Sequence, residues 1–243
     1  MTLVTRRLPY LVAVALSVLV VESAAAQRSV PGVSVGCQDI EVVSDELTRS
    51  EAEKYCRYAA GERKKVERFW GATWQEPIRI HVSSSFTIAR SLVTNGGKPG
   101  NTEMPLARVR DGRGALLHEI THSYAPNANR FLQEGLAVYL QDKIGGNPAF
   151  PNFGRQLHVL AGSALSSVRS LETLNSVRFP QPLSTVIDER TGYLLAGSFV
   201  QFLVEKHGLS QFRTLYESGD YGNTYQKSLQ VLEKEWRSNI ERR

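Results

Sequence analysis

Two histidines and a glutamate stand together in the run His118-Glu119-Ile120-Thr121-His122. On a helix, positions i and i+4 share one face and lie about 6 Å apart along the axis, so His118 and His122 can offer two imidazoles to one metal ion. Glu119 is rotated roughly 100° from His118, which lets it border that site without ligating. This is the H-E-x-x-H zinc signature, in which the acid between the histidines serves as general base. The signature needs a third ligand, and Phe131-Leu132-Gln133-Glu134-Gly135-Leu136-Ala137-Val138-Tyr139 supplies an acidic one soon after.

Helix arithmetic brings the two segments together. Leu116, Leu117 and Ile120 give the first helix an apolar side, Asp111 with Gly112 and Gly114 close after it reads as its start, and Pro126 must end it because proline cannot continue the hydrogen-bond ladder. Phe131, Leu132, Leu136, Tyr139 and Leu140 mark a second helix. The connection is short, so the pair should run antiparallel. With the turn near residue 127, Glu134 falls level with the midpoint of the two histidines, whereas Asp142 would sit on the order of 10 Å too far along. Two imidazoles, one carboxylate and an open fourth position form the catalytic zinc arrangement, whereas a structural site is usually closed by four protein ligands. Zinc brings its bound water to a pKa of about 7 and polarises a carbonyl. Glu119 can take the proton and deliver it to a leaving amine.

The segment Phe131–Tyr139 is similar to the W-L-N-E-G-F-A-x-Y stretch of the aminopeptidase-N-like branch of the gluzincin metallopeptidases and of their compact peptidase MA-like relatives. The specific likeness covers residues 115–140. The resemblance implies a zincin-like fold, a peptide or protein substrate and one zinc ion per chain. It also implies His118, His122 and Glu134 as ligands and Glu119 as catalytic base. A looser likeness runs from Tyr193 to Gly208, where a family helix carries a tyrosine that stabilises the transition state; Tyr193 takes that role here, although it lies one residue farther from its glycine, Gly197. The chain departs from the family in other ways. The exopeptidase G-x-M-E-N strand is absent, with Glu103-Met104-Pro105 in that region, so an endopeptidase is expected. The aspartate that follows the ligand glutamate in the thermolysin-like E-x-x-x-D pattern is replaced by Val138, and Ala125 and Ala128 stand where a metzincin needs Gly and His.

The rest of the chain must position these groups. Thr48 and Glu51 form a capping box for a helix of about twenty residues ending near Gly71. Ile78, Ile80 and Val82 alternate with Arg79, His81 and Ser83 as a half-buried strand, which puts His81 on the outer face. A strand near Met104–Arg110 precedes the metal helix, where its backbone could pair with an extended substrate. Residues 27–43 read as irregular and Asn95–Asn101 as a turn, while Asn147–Phe153 form a loop near the site. Helices are expected over 155–166, 191–207 (capped by Gly208) and 225–242, the last with Tyr225, Leu229, Leu232, Trp236 and Ile240 as a core stripe. The fold class is therefore α+β: a small sheet lobe, then a helical lobe, with the metal helix between them.

Residues 1–26 have the make-up of a secretory signal peptide: Arg6 and Arg7, an apolar run from Leu8 to Val21, then Ala24-Ala25-Ala26. The run is too short for an ordinary membrane span, so a single peptidase domain over 27–243, secreted or periplasmic and without stable membrane insertion, is expected after cleavage. The only two cysteines, Cys37 and Cys56, both follow the signal segment, and in an oxidising compartment they should form a disulfide worth about 3 kcal/mol. The net charge of +5 becomes +4 without Arg6, Arg7 and Glu22. Its densest cluster, Arg63-Lys64-Lys65 with Arg68, is interleaved with Glu62 and Glu67 and reads as a solvated helix face, so no nucleic-acid partner is expected. Two other functions are compatible with the same residues: a non-catalytic binding protein on this fold, and a zinc amidase acting on peptidoglycan. The intact Glu119 speaks against the first.

Overall fold

The structure is a computed structural model and describes residues 32–71, 76–92, 100–146 and 148–242. The signal-peptide segment, and most of the 95–101 turn, lie outside the described residues.

The first lobe is a five-stranded sheet with one long helix packed on it. Its strands are β1 (Val33–Cys37), β2 (Ile40–Ser44), β3 (Ile78–Ser83), β4 (Arg90–Ser91) and β5 (Asn101–Pro105), and they lie side by side in the order β1-β2-β3-β5-β4. β2, β3 and β5 are parallel, with Val42 opposite Ile80 and Ile80 opposite Thr102; β1 and β4 run antiparallel at the two edges. The alternation in β3 works as expected: Ile78, Ile80 and Val82 are fully buried, and His81 is exposed against the edge of Phe86. Helix α1 (Arg49–Trp70) crosses the sheet and starts at the expected capping box, where the Thr48 hydroxyl accepts from the Glu51 N–H and the Glu51 carboxylate accepts from the Thr48 N–H. Cys37 at the end of β1 is bonded to Cys56 on α1, with 6.0 Å between their Cα atoms.

Next come α2 (Leu106–Asp111), α3 (Leu116–Tyr124) and α4 (Arg130–Ile144). The helical lobe is completed by α5 (Leu157–Ala164), α6 (Leu171–Asn175), α7 (Glu189–His207), α8 (Leu209–Ser218), α9 (Tyr221–Tyr225) and α10 (Leu229–Glu241). Helix α3 packs against α1, β4 and β5 on one side and against α4 on the other, and α4 packs in turn on α7. The architecture is thus α+β, with the helix that carries His118 and His122 lying between a small sheet lobe and a helical lobe. None of the described helices is long and apolar enough to cross a membrane.

Several sequence expectations need correction. Within the stretch 27–43 expected to be irregular, residues 33–43 belong to the β1–β2 hairpin, whose turn is closed by Gln38 at φ 52°. The strand expected over Met104–Arg110 ends at Pro105, because Leu106, Ala107, Arg108 and Arg110 are good helix formers and the proline has no N–H to continue the ladder. Asp111 closes α2 rather than opening the metal helix: Gly112 follows it in the left-handed region at φ 68°, and α3 begins only at Leu116. The helix expected over 225–242 breaks at Gln226, at φ 55°, and restarts on the Ser228 cap. The basic cluster of α1 is not wholly solvated either. Arg63 is buried, pairs with Glu67 and donates to the carbonyls of Asp39 and Glu76, while the buried Glu62 pairs with Lys65.

Candidate metal centre

The site is assembled by a tight crossing of α3, α4 and α7. Leu116, Leu117 and Ile120, all fully buried, fix the back of α3 and leave His118 and His122 on the opposite face. Asn129 caps α4 by accepting from the Leu132 N–H, which sets the phase in which Glu134 meets the histidines. Gly135 follows immediately. A Cβ there would lie 2.6 Å from Val200 Cγ2 and 2.7 Å from the Ala196 carbonyl oxygen, so the glycine is what lets α7 come against α4. Gly197 does the same from α7, where a Cβ would lie 2.4 Å from Val138 Cγ1.

Glu134 Oε2 sits 3.0 Å from His118 Nε2 and 3.5 Å from His122 Nε2. One ligand atom from each of the three residues lies within 4.8 Å of the other two, and all three side chains are buried. Two imidazole nitrogens and one carboxylate oxygen are the donor set of a catalytic zinc site, and they fit a single dication. The charges are coupled. Burial pulls against a charged His118, but the Glu134 hydrogen bond and the Glu119 and Glu134 charges outweigh it, and its pKa is raised. Burial likewise pulls the Glu134 pKa up, and the facing histidines override it to hold the carboxyl well below its usual range. A metal would take the place of the imidazole proton against the same oxygen.

Glu119 is beside His118 and almost fully buried, and its Oε2 accepts from the backbone N–H of Ser91 on edge strand β4 at 2.6 Å. The sheet therefore orients this carboxylate from outside the helix that carries it. Tyr193, in the first turns of α7, stacks its ring on His118, with centroids 5.9 Å apart and planes 14° apart. Burial first, then the Glu134 charge, raise its phenol pKa well above the ordinary value, so the hydroxyl stays protonated and can donate.

These groups form the floor of a cleft of about 450 Å³. One wall comes from Ile88 to Arg90, from Arg108 of α2 and from the α2–α3 connection with Arg113. The other comes from Phe150, Phe153, Pro182, Glu189 and Tyr193. Tyr193 is the only tyrosine among the described residues that lines it. Tyr124 donates to Glu67, Tyr139 packs edge-on to Phe69, Tyr221 donates to Asn175, and His158 is hydrogen-bonded to Ser198 in the core; none of these reaches the cleft. Glu103, in the region where an exopeptidase strand carries its glutamate, is paired with Arg90.

Sequence reasoning missed three features of the site. Arg130 contacts Glu134 directly, a pair that the i, i+4 spacing on α4 could have revealed. The Ser91 contact is made by backbone and leaves no side-chain signal. Phe150 and Phe153 belong to the loop expected near the site, but nothing in the residue types placed them on the wall.

No family model matches the chain, and no curated protein matches it. Solved structures of zinc metallopeptidases do. One is a glutamate-to-alanine variant of an M1 zinc metallopeptidase from Deinococcus radiodurans, at 15% identity and a TM-score of 0.48, covering 85% of this chain and 50% of that one. Another is the M1 zinc metallopeptidase from the same organism, at 18% identity and a TM-score of 0.44, covering 87% of this chain and 49% of that one. A third is a two-domain M1 zinc metallopeptidase variant bound to L-arginine, at 16% identity and a TM-score of 0.44, covering 84% of this chain and 46% of that one. The chain spans about half the length of these neighbours.

Proposed function

We propose that the chain is an exported zinc-dependent metallopeptidase that cleaves bonds within peptide or protein substrates. One observation carries the reading: His118 Nε2, His122 Nε2 and one Glu134 oxygen converge on the floor of an open cleft, beside a Glu119 carboxylate held from the sheet edge. His118, His122 and Glu134 would hold one zinc, which supplies an activated water and polarises the scissile carbonyl. Glu119 takes the proton of the attacking water and returns it to the leaving amine. The Ser91 N–H holds Glu119 Oε2 and so orients the carboxylate. Tyr193 donates its hydroxyl to the oxyanion of the tetrahedral intermediate. Edge strand β4 borders the cleft at Arg90, and its Ser91 N–H is committed to Glu119. Because Glu103 is committed to Arg90 and does not wait for a free amino terminus, an endopeptidase is favoured. The Cys37–Cys56 bond suits an oxidising compartment, in keeping with the signal-like residues 1–26.

The test is Glu119→Gln, assayed on a peptide library with free and blocked termini. The variant should keep its fold and zinc while losing at least roughly 10²-fold in turnover. Unchanged turnover would sink the hydrolytic mechanism. Cleavage confined to peptidoglycan amides would reassign the substrate, and cleavage confined to free amino termini would make the enzyme an aminopeptidase.

A further inference from the structure

Arg130 approaches Glu134 more closely than either histidine does. Its Nη2 lies 2.6 Å from Glu134 Oε1, the oxygen that faces away from the imidazoles, and its Nη1 donates to Gln133 Oε1 at 2.5 Å. The side chains of Arg130 and Glu134 are only 7% and 1% exposed. The arginine's own backbone is pinned, since its N–H donates to the Val177 carbonyl and the Asn129 cap precedes it. Neither His118 Nδ1 nor His122 Nδ1 has a hydrogen-bond partner among the described residues. A histidine that binds a metal ordinarily donates its second ring nitrogen to a carboxylate or carbonyl, which fixes the ring. In this site the outer anchor acts on the carboxylate ligand instead.

A carboxylate can ligate through one oxygen or two. With a guanidinium on Oε1, Glu134 presents a single oxygen, Oε2, to the histidines. We infer that Arg130 is a positioning residue that holds Glu134 as a one-oxygen ligand and so keeps a coordination position free for water and substrate. The inference rests on the metal-binding reading above. The charges agree with it: two neutral imidazoles and one carboxylate carry a single negative charge, and Arg130 cancels it, leaving the dication undiluted toward a carbonyl. Lysine would preserve the charge but not the planar fork that reaches Gln133 and Glu134 together.

The test uses the full-length mature protein, wild type, Arg130→Lys and Arg130→Met, loaded with zinc or with cobalt(II). Cobalt absorbs strongly in the visible when four-coordinate and weakly at higher coordination number. Wild type should give the strong spectrum, and its zinc X-ray absorption should report one carboxylate oxygen. Both variants should take up about one metal per chain with a weakened cobalt spectrum, and kcat/KM should fall roughly 10- to 100-fold. A wild-type spectrum in a folded, metal-loaded Arg130→Met protein would overturn the inference. So would two carboxylate oxygens on the wild-type zinc, a measurement that stands even where a variant does not fold. A wild-type protein that takes up no metal would refute the metal site itself rather than the role of Arg130.

Discussion

Gly135→Ala is a small change at the point where the two halves of the site meet. The added methyl would lie 2.6 Å from Val200 Cγ2, 2.7 Å from the Ala196 carbonyl oxygen and 3.0 Å from the Ala196 carbonyl carbon. The valine can yield by changing rotamer, but the carbonyl is helix backbone and can yield only if α7 moves. Restoring ordinary contact requires about 0.5–1 Å of separation, an overpacking that costs about 1–3 kcal/mol. Alanine in place of glycine returns about 1 kcal/mol of helix propensity, leaving a net loss of up to about 2 kcal/mol. In a protein of this size that lowers Tm by up to roughly 8 °C. The displaced helix carries Tyr193, whereas Glu134 stays on α4 with the histidines' neighbour face unchanged. Zinc content should therefore hold, while a displacement of about 1 Å at Tyr193 lowers kcat by up to ~10²-fold. Differential scanning calorimetry, metal analysis and single-turnover kinetics report the three quantities. Adding Val200→Ala should recover part of the stability and not all of it, because the Ala196 carbonyl remains. A Gly135→Ala protein as stable and active as wild type would refute the close-crossing account of the site.

The other predictions concern single groups. Tyr193→Phe keeps the ring stacked on His118 and removes only the hydroxyl; kcat should fall by roughly 10²-fold with Tm and zinc content unchanged, and a normal kcat would return Tyr193 to a packing role. Cys37→Ala/Cys56→Ala should lose about 3 kcal/mol of stability while retaining metal, because the bond ties β1 to α1 and no ligand lies on either; unaltered melting would show that the link is dispensable. Arg63→Met removes one partner of the half-buried Glu67 and two carbonyl contacts, and should cost roughly 1–3 kcal/mol; a loss under about 0.5 kcal/mol, read by urea unfolding, would return the basic cluster to a solvated face.

Much of the site could be read from sequence because helical periodicity is local. The i, i+4 spacing of His118 and His122, the proline that stops α3 and the short connection to α4 are enough to bring Glu134 level with both rings. Edge strand β4 could not be read that way, since Arg90 and Ser91 carry no apolar alternation and are defined only by pairing with Glu103 and Thr102. The start of α3 was misplaced for a related reason: Asp111 and Gly112 have the residue types of a helix start, but Gly112 adopts the left-handed conformation that ends α2 instead. Arg63 shows the same limit, because composition makes a basic run look solvated, and only tertiary packing sets its guanidinium against the Asp39 and Glu76 carbonyls.

Elemental analysis of the purified mature protein, wild type beside His118→Ala/His122→Ala, tests the central claim most directly. Wild type should carry about one zinc per chain after dialysis against a weak chelator, and the double variant, folded by circular dichroism, should carry almost none. Equal zinc in the two proteins, or none in wild type refolded with zinc present, would contradict the assignment of His118, His122 and Glu134 as a metal centre.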